Sequence, residues 1–190
     1  MLTKRFSQGL ELAVRAHDGQ VRKGTGIPYI AHPMAVASIA LEYGADEDQA
    51  IAALLHDAVE DGGAEYEQEI RECFGARVAD IVMGCTDGVP DATGQKPPWR
   101  QRKEQYLAHL ELAASDVLLV SGSDKLHNAR AILSDLNKVG VSVFDRFTAS
   151  REETLWYYTS LAAIFNLRGV PVASALADTV SQIKAFEKNC

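Results

Sequence analysis

The chain has 190 residues, 47% of them hydrophobic, which is enough for one domain with a proper core. Nineteen Lys and Arg against 26 Asp and Glu give a formal net charge of -7, so the overall basic charge typical of nucleic-acid and anionic-membrane binders is missing. No apolar run approaches the roughly 18 residues of a spanning helix, and three cysteines without a CxxC pair are typical of a reducing compartment. We expect one soluble, cytoplasmic domain over residues 1–190 that binds neither nucleic acid nor membranes.

Helical patterns begin near the N-terminus. Apolar residues recur at helical spacing over residues 4–16, and the glycine-rich, charged stretch DGQVRKGTGIPYI follows as a loop. Pro33, directly after His32, opens MAVASIALEYG, with Gly44 as a stop signal. This pattern predicts a second helix.

A third helix, predicted over residues 46–61, carries a cluster of charged side chains. Asp46 and Gln49 have the spacing of a capping box at its start. If this helix is regular, four side chains near its end project within an arc of about 140°: His56, Asp57, Glu60 and Asp61. Three acids and an imidazole on one face would repel one another unless a cation or a proton resolved the conflict. A bound metal ion is the natural solution.

The rest of the chain is also predicted to be helical. The predicted helices cover residues 65–75, 76–86, 99–113, 115–136, 151–169 and 171–188. Two connections are predicted to be irregular: residues 87–100, rich in Gly and Pro, and residues 137–146. No segment shows sustained strand alternation, so the sequence predicts an all-α fold.

His56 and Asp57 do not complete a metal site, because a catalytic divalent ion needs about four protein ligands. His32 is a candidate third ligand at the start of a helix, and Asp124 in SDKLHNAR is a candidate fourth. Two imidazoles and two carboxylates suit Mn²⁺, Fe²⁺ or Zn²⁺. His127 is the rival ligand, and we interpret it as a partner of a ligand or a core residue.

Three sequence blocks carry a resemblance to a known family. They are AHDGQVRKGTGIPYIAHP at 16–33, ALLHDAVEDG at 53–62 and SDKLHNAR at 123–130. Their order resembles the HD superfamily of metal-dependent phosphohydrolases, and in detail the hydrolase domain of RelA/SpoT alarmone enzymes. The single-domain small alarmone hydrolases, which include metazoan SpoT homologues, are especially similar. The resemblance implies an HD-domain helical bundle that removes the 3′-pyrophosphate of (p)ppGpp, leaving GDP or GTP.

The resemblance also implies roles for individual residues. One Mn²⁺ ion would be bound by His32, His56, Asp57 and Asp124. Glu60 and Asp61 would act on the attacking water, and the nucleotide would be held by Arg22, Lys23 and Asn128. Because the chain is acidic overall, further phosphate contacts must come from local basic side chains, and the candidates are Lys96, Arg100, Arg102, Lys103 and Arg151.

The sequence departs from the family at two places near the implied nucleotide pocket. Ser121-Gly122-Ser123 replaces a common Lys-Leu-Ala, and Ala131 replaces a common threonine. The substrate alternatives are therefore an adenosine alarmone, (p)ppApp, or the 2′-phosphate of NADPH. A third alternative, a non-catalytic alarmone-binding module, has no need for Glu60 and Asp61. The sequence leaves the oligomeric state open.

Overall fold

The computed structural model describes residues 1–87 and 97–186, and within these ranges the chain forms nine α-helices. They are α1 (Lys4–Ala16), α2 (Ala31–Glu42), α3 (Glu47–Leu55), α4 (Glu65–Phe74), α5 (Ala76–Cys85), α6 (Trp99–Leu112), α7 (Ser115–Val139), α8 (Arg151–Leu167) and α9 (Ala173–Ala185). In the described residues, the only β-type pairing is one antiparallel bridge between Val21 and Pro28. The all-α prediction is confirmed.

Helix α3 lies at the centre of the bundle, in contact with α1, α2, α5 and α7. Every residue from Ala50 to Leu55 is buried, so this helix has no solvent-facing side over its last six residues. The small side chains of Ala50, Ala52 and Ala53 allow neighbouring helices to approach it closely. As a result, the residues that follow α3 are delivered to the interior of the bundle.

Helix α7 is the second element that positions the site. It contacts α2, α3 and α5 on one side and packs against α8 and α9. Gly122 lies at the α9 side, where a Cβ atom would come within 2.6 Å of the Val172 side chain. The Ser121 hydroxyl is buried within 2.7 Å of the Tyr106 hydroxyl, and Ser123 donates to the Leu119 carbonyl at 2.8 Å. The family departure at 121–123 therefore serves close packing within the bundle.

The predicted helix over 46–61 is only partly correct. Its capping box is present, since the Asp46 side chain accepts from the Gln49 backbone amide at 2.9 Å and the Asp46 backbone amide donates to Gln49 Oε1 at 2.8 Å. However, the α-helix ends at Leu55, and Ala58–Gly62 form one π-helical turn. In a π-helix each hydrogen bond joins residues five apart instead of four apart, so successive residues are rotated by less than 100°. The regular spacing assumed for the charged cluster is therefore wrong beyond His56.

The prediction of an irregular segment at 137–146 is also wrong. Helix α7 continues to Val139, and Gly140–Arg146 form a 3₁₀ helix. Gly140 ends α7 with a positive φ of 66°, which glycine adopts without steric cost. Most of the other predicted connection, 87–100, lies outside the described residues. Within the described ranges, no helix combines the length and apolar character needed to span a bilayer.

Candidate active site

Four predicted ligands converge where α2, α3 and α7 meet. His32 is the second residue of α2, His56 and Asp57 directly follow α3, and Asp124 lies on α7. The Nε2 atom of His32 is 3.2 Å from Asp124 Oδ1 and 3.4 Å from Asp57 Oδ2. The Nε2 atom of His56 lies 3.1 Å from Asp57 Oδ2 and 3.7 Å from Asp124 Oδ1. Each Nε2 atom therefore faces both carboxylates, and the ligand atoms of His32, His56 and Asp124 all lie within 4.8 Å of one another.

Both histidines make their ring contact through Nδ1, on the side of the ring away from the two carboxylates. His56 Nδ1 is 2.9 Å from the Ala53 carbonyl oxygen, which can only accept, so Nδ1 carries the proton. Its Nε2 is buried and makes no hydrogen bond within the described part of the chain. On the other histidine, His32 Nδ1 is 2.7 Å from Nδ1 of His127. Such contacts on the far ring nitrogen are typical of metal-binding histidines.

The buried ionisable groups of the cluster shift one another's pKa values. Burial alone would raise the pKa of Asp124, but Lys125 and the two imidazoles hold it well below its usual range. Asp57 is held low in the same way by His56 and His32. Burial would lower the pKa of His56, yet the carboxylates of Asp57 and Asp124 raise it well above its ordinary value. Two carboxylates and two imidazoles thus share one buried site, where a cation would offset the negative charge.

Neighbouring side chains fix the two carboxylates. Tyr29 donates its hydroxyl to Asp57 Oδ2 at 2.7 Å, and burial beside this carboxylate raises the pKa of Tyr29, which keeps it a donor. Asn128 donates to Asp124 Oδ1 at 2.6 Å, while Lys125 contacts Asp124 Oδ2 at 2.5 Å. The carboxylates are therefore held by hydrogen bonds as well as by packing.

Glu60 and Asp61 lie in the π turn, three and four residues after Asp57. The Asp61 amide donates to the Asp57 carbonyl at 2.9 Å, which ties the turn to the ligand residue. Partial desolvation, followed by the nearby carboxylates of Asp57 and Glu60, raises the pKa of Asp61. The turn thus presents two carboxyl groups at the edge of the cluster, one of them with an increased tendency to hold a proton.

A basic cleft with two lobes opens beside this cluster. The first lobe encloses about 340 Å³, and its charged and amide-bearing lining residues are Arg22, Lys23, Asn128, Asp135 and Arg146. The second lobe encloses about 260 Å³, and its basic lining residues are Lys23, Lys103 and Lys125. Both lobes share Lys23, Asn128, Ile132, Phe147 and Tyr158, so they form one continuous cleft. Tyr29 also lines the first lobe and connects it to Asp57.

The structure brings some predicted nucleotide contacts together and leaves others apart. Arg22, Lys23 and Asn128 all line the cleft, and Arg22 donates to the Asn128 side-chain oxygen at 2.8 Å. Arg102 lines neither lobe, because its guanidinium binds the Asp87 carboxylate at 2.6 Å. Arg151 begins α8 and is 5.8 Å from the Phe144 ring centre, also outside both lobes. Lys96 lies outside the described residues, so its role stays a prediction.

Several cleft residues were missed by sequence reasoning. Arg146 ends the segment that was predicted to be irregular, and Asp135 looked like an ordinary charged residue of α7. Tyr29 lies in the block at 16–33 and Lys125 in the block at 123–130, each close to a predicted functional residue. Their position in these blocks could have indicated a role at the site. Ala131 does line the first lobe, in agreement with its predicted nearness to the nucleotide pocket.

The fold and cluster define a helical protein with a buried histidine–carboxylate site for a divalent metal ion. An HD-domain family model matches residues 9–155, and the chain belongs to the HD domain family. The predicted resemblance to alarmone hydrolases is confirmed by the curated relatives. One is a guanosine-3′,5′-bis(diphosphate) 3′-pyrophosphohydrolase of Aquifex aeolicus, 40% identical over 67% of this chain and 18% of its own length. Another is the bifunctional (p)ppGpp synthase/hydrolase SpoT of Escherichia coli, 34% identical over 84% of this chain and 21% of its own.

The chain thus spans about a fifth of the length of these curated relatives. Two solved structures match most of both chains. A metazoan ortholog of SpoT, described as hydrolysing ppGpp, superposes with a TM-score of 0.76 at 26% identity, covering 96% of this chain and 97% of that one. The lmo0812 protein of Listeria monocytogenes gives a TM-score of 0.69 at 28% identity, covering 80% of this chain and 97% of its own. The bundle is therefore similar to a solved structure over nearly its whole length.

Proposed function

We propose that this chain is a metal-dependent hydrolase that removes the 3′-pyrophosphate of (p)ppGpp and releases GDP or GTP with pyrophosphate. The observation that carries the proposal is the convergence of two imidazoles and two carboxylates beside a basic cleft. The activity named for the Aquifex relative and for the metazoan SpoT ortholog supports the same reaction. The core that extends from Leu12 to Ile183 supports treating residues 1–190 as one hydrolase domain. A cytoplasmic location stays a prediction.

The residues fit a divalent cation, and we propose Mn²⁺ held by His32, His56, Asp57 and Asp124. The donor set is mixed nitrogen and oxygen, which suits Mn²⁺ but does not by itself distinguish it from Fe²⁺ or Zn²⁺. When bound, the cation would neutralise phosphate charge and lower the pKa of water at the site. The buried Nε2 atom of His56, which lacks a hydrogen-bond partner in the described residues, is the observation that supports the fit.

Glu60 and Asp61 act on the proton of the attacking water in this proposal. The water oxygen bonds to the phosphorus attached to the 3′-oxygen, and the bond between that phosphorus and the 3′-oxygen breaks. One carboxylate of the pair accepts a proton from the water while the other orients it, and the departing 3′-oxygen takes up a proton. Desolvation raises the pKa of Asp61 above its ordinary value, which makes this carboxylate the stronger proton acceptor that a general base requires.

Arg22 and Lys23 hold the substrate's negative charges. Arg22 points into the first lobe, where its guanidinium can pair with two phosphate oxygens at once. Lys23 is exposed at the junction of both lobes, and no described carboxylate forms an ion pair with it. The cleft thereby concentrates positive charge in a chain whose formal net charge is -7.

The proposal is tested with a substrate panel in the presence of Mn²⁺. Purified protein is incubated separately with ppGpp, ppApp and NADPH, and the products are resolved by ion-exchange chromatography. We expect GDP and pyrophosphate from ppGpp, with His56→Ala inactive and metal-free as the matched control. No turnover of ppGpp by folded, metal-loaded protein would overturn the proposal. Turnover of NADPH or ppApp alone would keep the metal chemistry and replace the substrate.

A further inference from the structure

The first lobe of the cleft extends well beyond the metal-binding cluster. Asn128 is hydrogen-bonded to Asp124, and Asp135 follows it by seven residues on α7. Seven residues are close to two full helical turns, so both side chains lie on one face about 10 Å apart along the axis. Both line the same cavity. A substrate whose 3′-phosphates lie at the cluster can therefore place a more distant part against Asp135.

Asp135 forms an ion pair with Arg146 at this far end; Lys138 Nζ also lies 3.6 Å from Asp135 Oδ1, but its side chain is 68% exposed and does not line the lobe. Arg146 Nη1 donates to Asp135 Oδ2 at 2.9 Å, and each side chain is 27% exposed. The stem of Arg146 also packs over Gly24, where a Cβ atom would come within 2.7 Å of Arg146 Cδ. Gly24 has a φ of 73°, a conformation that favours glycine. The guanidinium is thus held in place by contacts from both the glycine-rich loop and α7 before any ligand arrives.

The chemistry of the pair argues against a phosphate as its ligand. The carboxylate of Asp135 offsets the charge of Arg146 and would repel an anion, whereas Arg22 and Lys23 elsewhere in the lobe have no described carboxylate bound to them. A carboxylate beside a guanidinium is complementary to a neutral group that has hydrogen-bond donors next to an acceptor, because the carboxylate accepts from the donors and the guanidinium donates to the acceptor. The pairing edge of guanine has this pattern, with N1–H and N2–H₂ as donors and O6 as acceptor.

Adenine lacks that pattern, because its N6 amino group stands beside an N1 acceptor that would face the carboxylate unpaired. The aromatic rings of Phe147 and Tyr158 line the same lobe and offer faces on which a base can stack. Resting on the function proposed above, we propose that Asp135 and Arg146 select guanine over adenine in the substrate. They are specificity-determining residues for the base and take no part in the bond-breaking step.

The test measures kcat/KM for ppGpp, ppApp and the inosine analogue ppIpp, which lacks the N2 amino group. The variant Asp135→Asn keeps the side-chain size but removes the second acceptor and the charge. We expect the unmodified protein to prefer ppGpp over both analogues, and Asp135→Asn to reduce the ppGpp to ppApp ratio roughly 10- to 100-fold, the range of one bidentate base contact. The ppGpp to ppIpp preference should decrease with it.

A matched control is Asp80→Asn, which removes a carboxylate bound to Arg71 at 3.0 Å on the outside of α4 and α5. It should leave both ratios unchanged. A second variant, Gly24→Ala, should displace Arg146 and lower the same ratio without changing the metal ligands. Circular dichroism of each variant reports whether it folds, and a partly exposed ion pair contributes little to stability.

The outcomes separate this inference from the proposed function. If ppGpp is hydrolysed but the base ratios of Asp135→Asn and Gly24→Ala equal those of the unmodified protein, the selectivity assignment is overturned and the hydrolase proposal stands. If none of the three alarmones is hydrolysed, the proposed function itself fails. If ppApp is the better substrate of the unmodified protein, guanine selection is refuted directly.

Discussion

His127 offers the sharpest test of the metal site, because it touches a ligand without being one. Its Nδ1 lies 2.7 Å from Nδ1 of His32. If His32 binds a cation through Nε2, its ring proton must lie on Nδ1 and be donated to His127, which then has to accept. Burial, and next the proximity of His32 and Arg22, lower the pKa of His127 to about 4. His127 is therefore neutral at physiological pH and able to accept this bond.

We expect His127→Leu to weaken metal binding while leaving the four ligands in place. Removing a partner of a metal-binding histidine typically costs 10- to 100-fold in metal affinity, which corresponds to about 1.4–2.7 kcal/mol. The assay is a titration of apo-protein with Mn²⁺ against a competing chelator of known affinity. The matched control is His127→Asn, whose side-chain oxygen can accept from His32 at nearly the same position, so its affinity should stay closer to that of the unmodified protein.

The lowered pKa of His127 predicts that the stability of the protein depends on pH, with a definite sign. The pKa of His127 is lowered on folding, so the unfolded chain binds more protons between about 4 and the ordinary value near 6.5. The free energy of unfolding therefore keeps the contribution of neutral, buried His127 above that pH window and loses it as the pH falls through the window.

Equal metal affinities for unmodified protein, His127→Leu and His127→Asn would refute the assignment of His127 as the acceptor that orients His32.

Four further results are expected. Excess chelator should abolish turnover and Mn²⁺ should restore it best, whereas full activity without retained metal would contradict the site. Glu60→Gln should lower kcat by roughly 10²- to 10⁴-fold with metal content unchanged, and an unmodified rate would show that this carboxylate does not act on water. Tyr29→Phe should weaken Mn²⁺ binding roughly 10- to 100-fold, with Tyr43→Phe, about 16 Å from His32 along α2, as the control that should not. Because Asp57 raises the pKa of His56, metal binding should release a proton, and the metal affinity should fall as the pH is lowered. Calorimetry in two buffers of different ionisation enthalpy measures this proton, and equal binding enthalpies in both buffers would contradict the prediction.

The convergence of the four predicted ligands was predictable because each of them stands in a short, strongly constrained sequence context. His56 and Asp57 follow a run of apolar residues that can only be buried, and the capping box at Asp46 fixes where that run begins. His32 follows a loop that ends at a proline-containing first turn. Local patterns of this kind survive folding because the tertiary structure does not oppose them.

The π turn and the far end of the cleft were not predictable from the same patterns. The hydrophobic period of the third helix continues past Leu55, so nothing local announces the change from α to π geometry at Ala58. Arg146 lies in a short 3₁₀ helix, and its position opposite Gly24 depends on a contact between residues far apart in sequence. The contact of Arg102 with Asp87 has the same origin, since two elements must first pack before the pair can form.

A chain of two hydrogen bonds joins Arg22, in the glycine-rich loop, to Asp124. Arg22 donates to the Asn128 oxygen, and the amide nitrogen of Asn128 donates to Asp124. The orientation of the Asn128 amide is fixed by this arrangement, because the guanidinium requires an acceptor and the carboxylate requires a donor. Asn128→Asp would place a carboxylate against Asp124, whereas Asn128→Ala would remove one hydrogen bond from Arg22 and one from Asp124. Asn128, which the sequence resemblance assigned to nucleotide binding, therefore also contacts the proposed metal ligand Asp124, so we expect a substrate that draws Arg22 away from Asn128 to change the orientation of Asp124.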